Sequence, residues 1–380
     1  MGIEMPVAEA FTQDYRVSTD PTSHPVIRGG TALASVYMVL VDPAQIGVDL
    51  SGWERHGVAL KVLKAEPAEA PLLTRWGGRR GEGWDETPLF HATVAQNVAA
   101  WHGLAPRVYG VVTLSGPERS WAAQVVEVQY GLLDSGGSMM ARARLDAALA
   151  RYGITGCLRG STKRDWVGGK FIDFQCCQVN EDIHVERLLE RACEASPWRG
   201  SGGKPYQGIG PLTGARGDVA RRAQCMGLSP DSFFGKTVID LGCSTGAFPR
   251  FARQMGAQRT VGVDRPETVE VAFSLSNWTG HWNADWLGLD LQDEGWSDVV
   301  GRETGIDEFD VGFFLSMDRV CGYDDEVAAC CRTLYVESHP GQRKDEWERR
   351  LARHWKCVDY LGFTEDRHKR WLWRCSERRF

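Results

Sequence analysis

The segment VIDLGCSTGAFPRFARQMG, followed closely by VGVDRP, constrains this chain more than any other part of it. A short apolar run ending at Ile239 meets Asp240, Gly242 and Gly246. A helical pattern then begins near Ala247, and a second apolar run ends at Asp264. Two buried strands joined through a turn and a helix form a parallel pair, and parallel pairs belong to sheets covered on both faces. The same alternation continues through FDVGFFLS, DDEVAACCRTLYVES and the final RWLWRC, which predicts an α/β unit from about residue 218 to 380. Small residues at 242 to 246, including Cys243 and Ser244, would let a ligand approach the backbone of the turn. Asp264 lies 24 positions after Asp240, where its carboxylate would accept hydrogen bonds from a ribose diol.

A nicotinamide-binding turn would carry GxGxxG facing a pyrophosphate. Here an acid stands just before the first glycine, and a carboxylate in that turn suits a cationic amino-acid group better than a diphosphate. DLGCSTGAF and VGVD resemble the first two motifs of the class I S-adenosylmethionine-dependent methyltransferases, and the resemblance covers roughly residues 215 to 380. It implies a Rossmann-like, mostly parallel sheet closed by a C-terminal antiparallel strand, with S-adenosylmethionine as cofactor. Asp240, Gly242, Cys243, Ser244 and Gly246 would line the methionine end, and Asp264 would hold the ribose. Ser316, at the end of the family's fourth strand, would stand at the pocket rim. In ADWLGLDLQD either Asp285 or Asp290 would lie near the adenine, with Asp285 preferred because Trp286 beside it offers a stacking surface.

Methyl transfer from a sulfonium needs alignment more than a strong acid or base. Asp318 and Arg319 beyond the fourth strand, and Ser338 and His339 beyond the fifth, are the candidates near the open face, with Asp318 and His339 the two catalytic choices. LSMDRV replaces the Asn/Asp-Pro-Pro-Tyr of amino-group DNA enzymes and the Pro-Cys of cytosine-C5 enzymes, so both classes are disfavoured. CVDYLGFTEDRHKRWLWRC resembles the closing hairpin of class I enzymes that act on small molecules or RNA, and Arg367 or Arg370 would face an anionic acceptor. Trp278, Trp282, Trp286 and Trp296 could stack on an acceptor or simply fill a core.

At 380 residues the chain has room for two domains. The expected division is an α+β accessory domain at 1–195, a Gly/Pro-rich linker or lid at 196–217, and the cofactor domain at 218–380. In the first part VALKV reads as a strand, 81–103 as a loop and helix, RVYGVVTL and WAAQVVEVQY as strands, Met139 to Tyr152 and Val185 to Ala195 as helices, and Leu33 to Val41 as a helix or strand. Residues 56–175 resemble the small lobe of protein-kinase-like enzymes. Lys61 would be the phosphate lysine and Asp173 the metal acid, although Gln175 replaces the usual glycine. No Gly-rich loop precedes Lys61 and no His-Arg-Asp segment follows, so an active kinase is not expected; a degenerate kinase-like lobe that binds or presents the substrate and an unrelated α+β accessory domain both stay open, either one contributing to acceptor specificity.

The 44 basic and 50 acidic residues give a net charge of -6, so no global positive field draws the chain to nucleic acid. One local basic stretch, Arg343 to Arg379, is interleaved with Trp347, Trp355, Trp371 and Trp373. The N-terminal residues lack the basic and apolar regions of a signal peptide, and no run is long enough to span a membrane. The 11 cysteines suit neither a disulfide framework nor zinc-ligand spacing. A reduced, cytoplasmic methyltransferase without metal is expected, acting on a small molecule. The alternatives are a tRNA or other RNA methyltransferase and a non-catalytic cofactor-binding scaffold, and oligomeric state stays open.

Overall fold

The computed structural model describes residues 87–115, 120–127, 139–155, 166–167, 169–171, 174, 177–195, 207, 219–280, 284–319, 321–323, 325–364 and 369–379, together with backbone strands at 14–16, 26–28, 34–37 and 58–63. The chain divides into two compact units, Met1–Leu188 with Asn277–Trp282, and Leu189–Ser276 with Asn283–Phe380.

The first unit contains strands β1 (Asp14–Arg16), β2 (Val26–Arg28), β3 (Ala34–Tyr37), β4 (Val58–Leu63), β5 (Val108–Ser115) and β6 (Ser120–Glu127) in one sheet of order β1-β5-β6-β4-β3-β2. Only β1 pairs in parallel, with β5; the other pairs are antiparallel. Helix α1 (Thr87–Trp101) lies in sequence between β4 and β5, and its central turns are buried almost all round, as expected of a helix with little polar surface. Two of its buried amides tie it to the chain that follows: Asn97 Oδ1 accepts the Val108 N–H at 2.8 Å, and Gln96 Nε2 donates to the Pro106 carbonyl at 3.0 Å.

Helix α2 (Met139–Ala150) is followed by two small antiparallel strand pairs, β7 (Ile154–Thr155) with β10 (Gln178–Val179) and β8 (Trp166–Val167) with β9 (Lys170–Phe171). Helix α3 (Glu181–Ala195) starts four residues before the expected Val185, because the Asn180 side chain caps it by accepting the Ile183 N–H at 3.1 Å. Cys177 is disulfide-bonded, against the reduced expectation, whereas the other eight described cysteines are in no disulfide.

The His184 ring of α3 lies beside Tyr152 and Trp278, with ring centroids 6.1 and 4.6 Å apart. His184 is buried, and its Nδ1–H donates to the Tyr152 carbonyl at 2.6 Å. Burial lowers its pKa to about 4, the carbonyl opposing and His91 assisting the fall. The unfolded chain therefore binds this proton more readily, and stability is lost as pH falls below the ordinary histidine range toward 4. Between pH 7 and 4 the loss from this group should approach roughly 3 kcal/mol. His184→Gln should remove most of that slope in urea unfolding, and an unchanged slope would refute the assignment.

The second unit opens with α4 (Val219–Cys225) and a 3-10 turn, Pro230–Ser232. It continues with β11 (Thr237–Leu241), α5 (Ala247–Gln254), β12 (Arg259–Asp264), α6 (Pro266–Trp278), β13 (Ala284–Gly288), α7 (Trp296–Thr304), β14 (Phe309–Leu315), α8 (Asp325–Ala329), β15 (Cys331–Glu337), α9 (Lys344–His354), β16 (Trp355–Phe363) and β17 (Trp371–Arg378). Seven strands form one sheet of order β13-β12-β11-β14-β15-β17-β16. The first five run parallel, β17 is antiparallel to β15, and β16 is antiparallel to β17. The α/β, Rossmann-like architecture with an antiparallel C-terminal strand is thus present.

Consecutive residues of the central strands enter opposite cores. Ile239, Phe314 and Val336 pack with Trp296, Trp347 and Trp373 on one face, while Val238, Phe313 and Tyr335 pack with Phe233 and Phe248 on the other. This period of two explains why the strands read as continuous apolar runs. No helix among the described residues is long and apolar enough to cross a membrane.

Candidate functional site

Leu241 is in register with Val263 and Phe314, and Leu315 with Glu337, so Asp240, Asp264, Ser316 and Glu337 gather at the carboxyl ends of four neighbouring strands. That edge is where open α/β sheets bind ligands. Strand β11 runs through Asp240 to Leu241, two residues beyond the expected end at Ile239, and the turn follows. Gly242 and Gly246 both adopt φ of 76°, and Ser244 adopts 52°, so the turn passes through the left-handed region three times. The N–H groups of Gly242 and Cys243 both donate to the Val263 carbonyl, at 2.8 and 3.0 Å, which ties the turn to β12.

The glycines serve the protein's own side chains. A methyl group built on Gly242 would lie 2.1 Å from Met317 Sδ, and one on Gly246 would lie 2.2 Å from the Trp286 ring. Gly262 on β12 also faces that ring, at 2.5 Å. Trp286 is therefore wedged beneath the turn, which corrects its expected role as an adenine-stacking surface. Cys243 is likewise buried beneath the turn, its thiol pushed well above the ordinary range by burial, so its side chain presents nothing to a ligand.

Asp285 is corrected as well. It sits three residues before the end of β13 and accepts from Arg259 Nε at 2.7 Å, whereas Gly288 is the residue in register with Asp264. Asp290, the alternative, stands just beyond the strand end, and its Oδ1 accepts the Gln292 N–H at 3.0 Å.

Asp264 braces the turn. Its Oδ2 accepts the Ser244 N–H and its Oδ1 the Arg265 N–H, both at 2.8 Å. Burial raises its pKa, and those two N–H groups oppose the rise. An ionised carboxylate has about four acceptor positions, so these bonds leave capacity for a diol. Asp240 is buried, and its Oδ2 has no hydrogen-bond partner. Burial pushes it up to about 7; Arg222 pulls the other way and Asp264 adds to the rise.

Two residues that sequence reasoning missed complete this edge. Gln207, from the Gly/Pro-rich stretch, is buried; its Oε1 accepts the Ala247 N–H at 3.1 Å and the Thr245 hydroxyl at 3.2 Å. It supplies the cap that Gly246 cannot give α5. Arg222 of α4 places Nη2 2.6 Å from Glu337 Oε2. No sequence motif marks Arg222, and only the fold turns it inward.

No family model and no curated protein matches this chain. Solved structures resemble parts of it distantly. The N-terminal domain of EvdMO1 with SAH bound is 16% identical over 51% of this chain and 97% of that one, with a TM-score of 0.37. A SAM dependent methyltransferase from Aquifex aeolicus is 14% identical over 40% of this chain and 92% of that one, TM-score 0.29. WbdD, crystallised with the kinase inhibitor LY294002, is 18% identical over 41% of this chain and 38% of that one, TM-score 0.30.

The remaining expected residues divide between positions inside the fold and positions outside the described residues. Ser316 is buried instead of standing at a rim, and its hydroxyl donates to Glu337 Oε1 at 2.5 Å. Asp318 is committed on both oxygens, to Arg350 Nη1 and Gln342 Nε2, each at 2.6 Å, which makes it a brace and corrects its assignment as a catalytic acid or base. Gln342 also accepts the His339 N–H at 2.6 Å, so one amide draws the two candidate loops together. Trp278, Trp286 and Trp296 are all buried, a core role. Trp282, Asp173, Gln175, Asp366, Arg367 and the Lys61 side chain lie outside the described residues.

Proposed function

We propose that the second unit binds S-adenosylmethionine and transfers its methyl group to a small-molecule acceptor. The observation that carries this reading is the unpartnered, buried Asp240 Oδ2 at the carboxyl end of β11, beside a left-handed turn braced by Asp264. A buried acceptor without a donor costs about 1–3 kcal/mol, and an incoming ammonium would relieve that cost. In this arrangement Asp240 receives the amino-acid ammonium and Asp264 the ribose hydroxyls. Asp290 lies nearest the adenine end. When bound, the cofactor supplies a methyl group on a positively charged sulfur. The chain's own part is to bind and orient, because the leaving group is neutral and no strong acid is required. His339, beside the Gln342 bridge, is the candidate for holding the acceptor's proton.

A small acceptor fits the charge arrangement better than RNA does. In the basic C-terminal stretch Arg343 pairs with Asp345, Lys344 with Glu348, Arg350 with Asp318, Arg374 with Asp359 and Arg378 with Glu308. Trp347, Trp355 and Trp373 are fully buried, so they cannot stack on bases. For the first unit we propose a degenerate kinase-like lobe, spanning the expected 1–195, that shapes acceptor specificity. The strand, helix, strand, strand order of β4, α1, β5 and β6 supports that origin, and α1 carries no carboxylate with which a phosphate lysine could pair.

Calorimetric titration with S-adenosylhomocysteine tests the cofactor assignment. Wild type should bind, and Asp264→Ala should weaken binding by about 10- to 100-fold through loss of charged hydrogen bonds. Failure of the wild type to bind would sink the reading. Binding without methyl transfer to any acceptor would favour the scaffold alternative.

A further inference from the structure

Glu337, the last residue of β15, is fully buried and touches three separate segments. Its Oε2 holds Arg222 Nη2 of α4 at 2.6 Å. Its Oε1 accepts the Ser316 hydroxyl at 2.5 Å and lies 3.7 Å from Arg370 Nε, just before β17. Its backbone carbonyl accepts the Ser316 N–H at 2.9 Å. Ser316 adopts φ of 61°, a conformation costly for a residue with a Cβ, and these two bonds hold it there. The next residue is Met317, whose thioether covers Gly242.

The same Arg222 is the cation nearest to Asp240 in effect, yet its strong contact is with Glu337, and its Nε has no partner. The other charged or titratable groups that act on Asp240 are Asp264 from β12 and Cys243 from the turn; Arg250 of α5 acts on Cys243, and its Nη1 donates to the Thr245 carbonyl at 2.6 Å. The residues of β14 in register beside Asp240, Phe313 and its neighbours, carry no charge. Arg222 is therefore the group whose commitment decides how Asp240 is compensated.

We propose that Glu337 is a positioning residue for this site: by holding the Arg222 guanidinium and the Ser316 turn on itself, it keeps Arg222 from compensating Asp240 and leaves that carboxyl to meet a cationic group on the ligand. The role as a ligand group rests on the cofactor reading above; the competition for Arg222 does not. With Glu337 in place, Arg222 offsets only part of the burial of Asp240, which holds a proton near neutral pH. Removing the Glu337 charge frees Arg222 to serve Asp240, and the proton should leave at lower pH.

The test is ligand-free carbon-13 NMR of the full chain labelled at the aspartate carboxyl carbon, with the Asp240 signal identified by its absence in Asp240→Asn. In wild type that signal should titrate near neutral pH. In Glu337→Gln the midpoint should fall by at least about one pH unit, a tenfold change in proton affinity. Glu337→Asp keeps the charge with a shorter reach and should give a smaller fall; it also serves if the glutamine variant does not fold. A midpoint unchanged in whichever variant folds overturns the proposal. Titrating the same proteins with S-adenosylhomocysteine separates the two readings: no binding by wild type overturns the cofactor assignment alone, while a shifted Asp240 midpoint still upholds the role of Glu337.

Discussion

Gly246→Ala is expected to destabilise the second unit by roughly 2–5 kcal/mol, the sum of a left-handed conformation forced on a Cβ and an overpacked core. At φ 76° the added methyl meets the Trp286 ring at 2.2 Å and the Ala272 methyl at 3.1 Å, and the same edge of the indole already packs against Gly262. For a unit of this size the melting temperature should fall by on the order of 10 °C. Trp286→Leu removes the ring contact and leaves the backbone strain, so the double variant should be less destabilised than the two single losses added together. A melt within about 2 °C of wild type for Gly246→Ala would show that the turn does not rest on the tryptophan.

Cofactor affinity is expected to depend on pH through Asp240. Its carboxyl titrates near 7 because burial outweighs the pull of Arg222. Below that pH the ligand-free site carries a proton that an ammonium must displace, so affinity for S-adenosylhomocysteine should fall about tenfold per pH unit and level off above it. Asp240→Asn should bind weakly at every pH and show no such slope. Calorimetry from pH 5.5 to 8, in buffers of differing ionisation enthalpy, would also count the released proton. A flat wild-type profile would mean that Asp240 does not meet the ammonium. Stability carries the opposite sign. Because the folded pKa is raised, this group's contribution is fully present below the unfolded aspartate range and is lost as pH rises toward about 7.

The turn between β11 and α5 was legible because its requirements are local. An apolar run, an acid, glycines at left-handed positions and an amphipathic run are all consecutive, and each constrains the backbone within a few residues. What the glycines admit was not legible. They read as room for a ligand, whereas Trp286 and Met317, 40 and 75 positions from Gly246 and Gly242 respectively, fill the spaces beside them. The choice between Asp285 and Asp290 failed for a related reason. Neighbouring aromatic character suggested Asp285, but its depth along β13 and the Arg259 partner are set by strand register, which composition does not report.

Asp318 illustrates the limit for chemistry. Its place after β14 follows from the apolar run FDVGFFLS and its resemblance to the family's fourth strand, but its commitment to Arg350 and Gln342 depends on α9 and the turn before it returning across the sheet edge. By itself, then, the sequence determined the buried parallel strands and the tight glycine turn that joins β11 to α5, since each follows from backbone sterics and burial over short stretches. Tertiary structure alone decided which charges meet. Arg222 finds Glu337 across 115 residues, Gln207 reaches Ala247 across 40, and Asp240 Oδ2 is left without a donor among the described residues. An ion pair is specified by distance in space and by the loss of water around it, and neither quantity is written in the order of the residues.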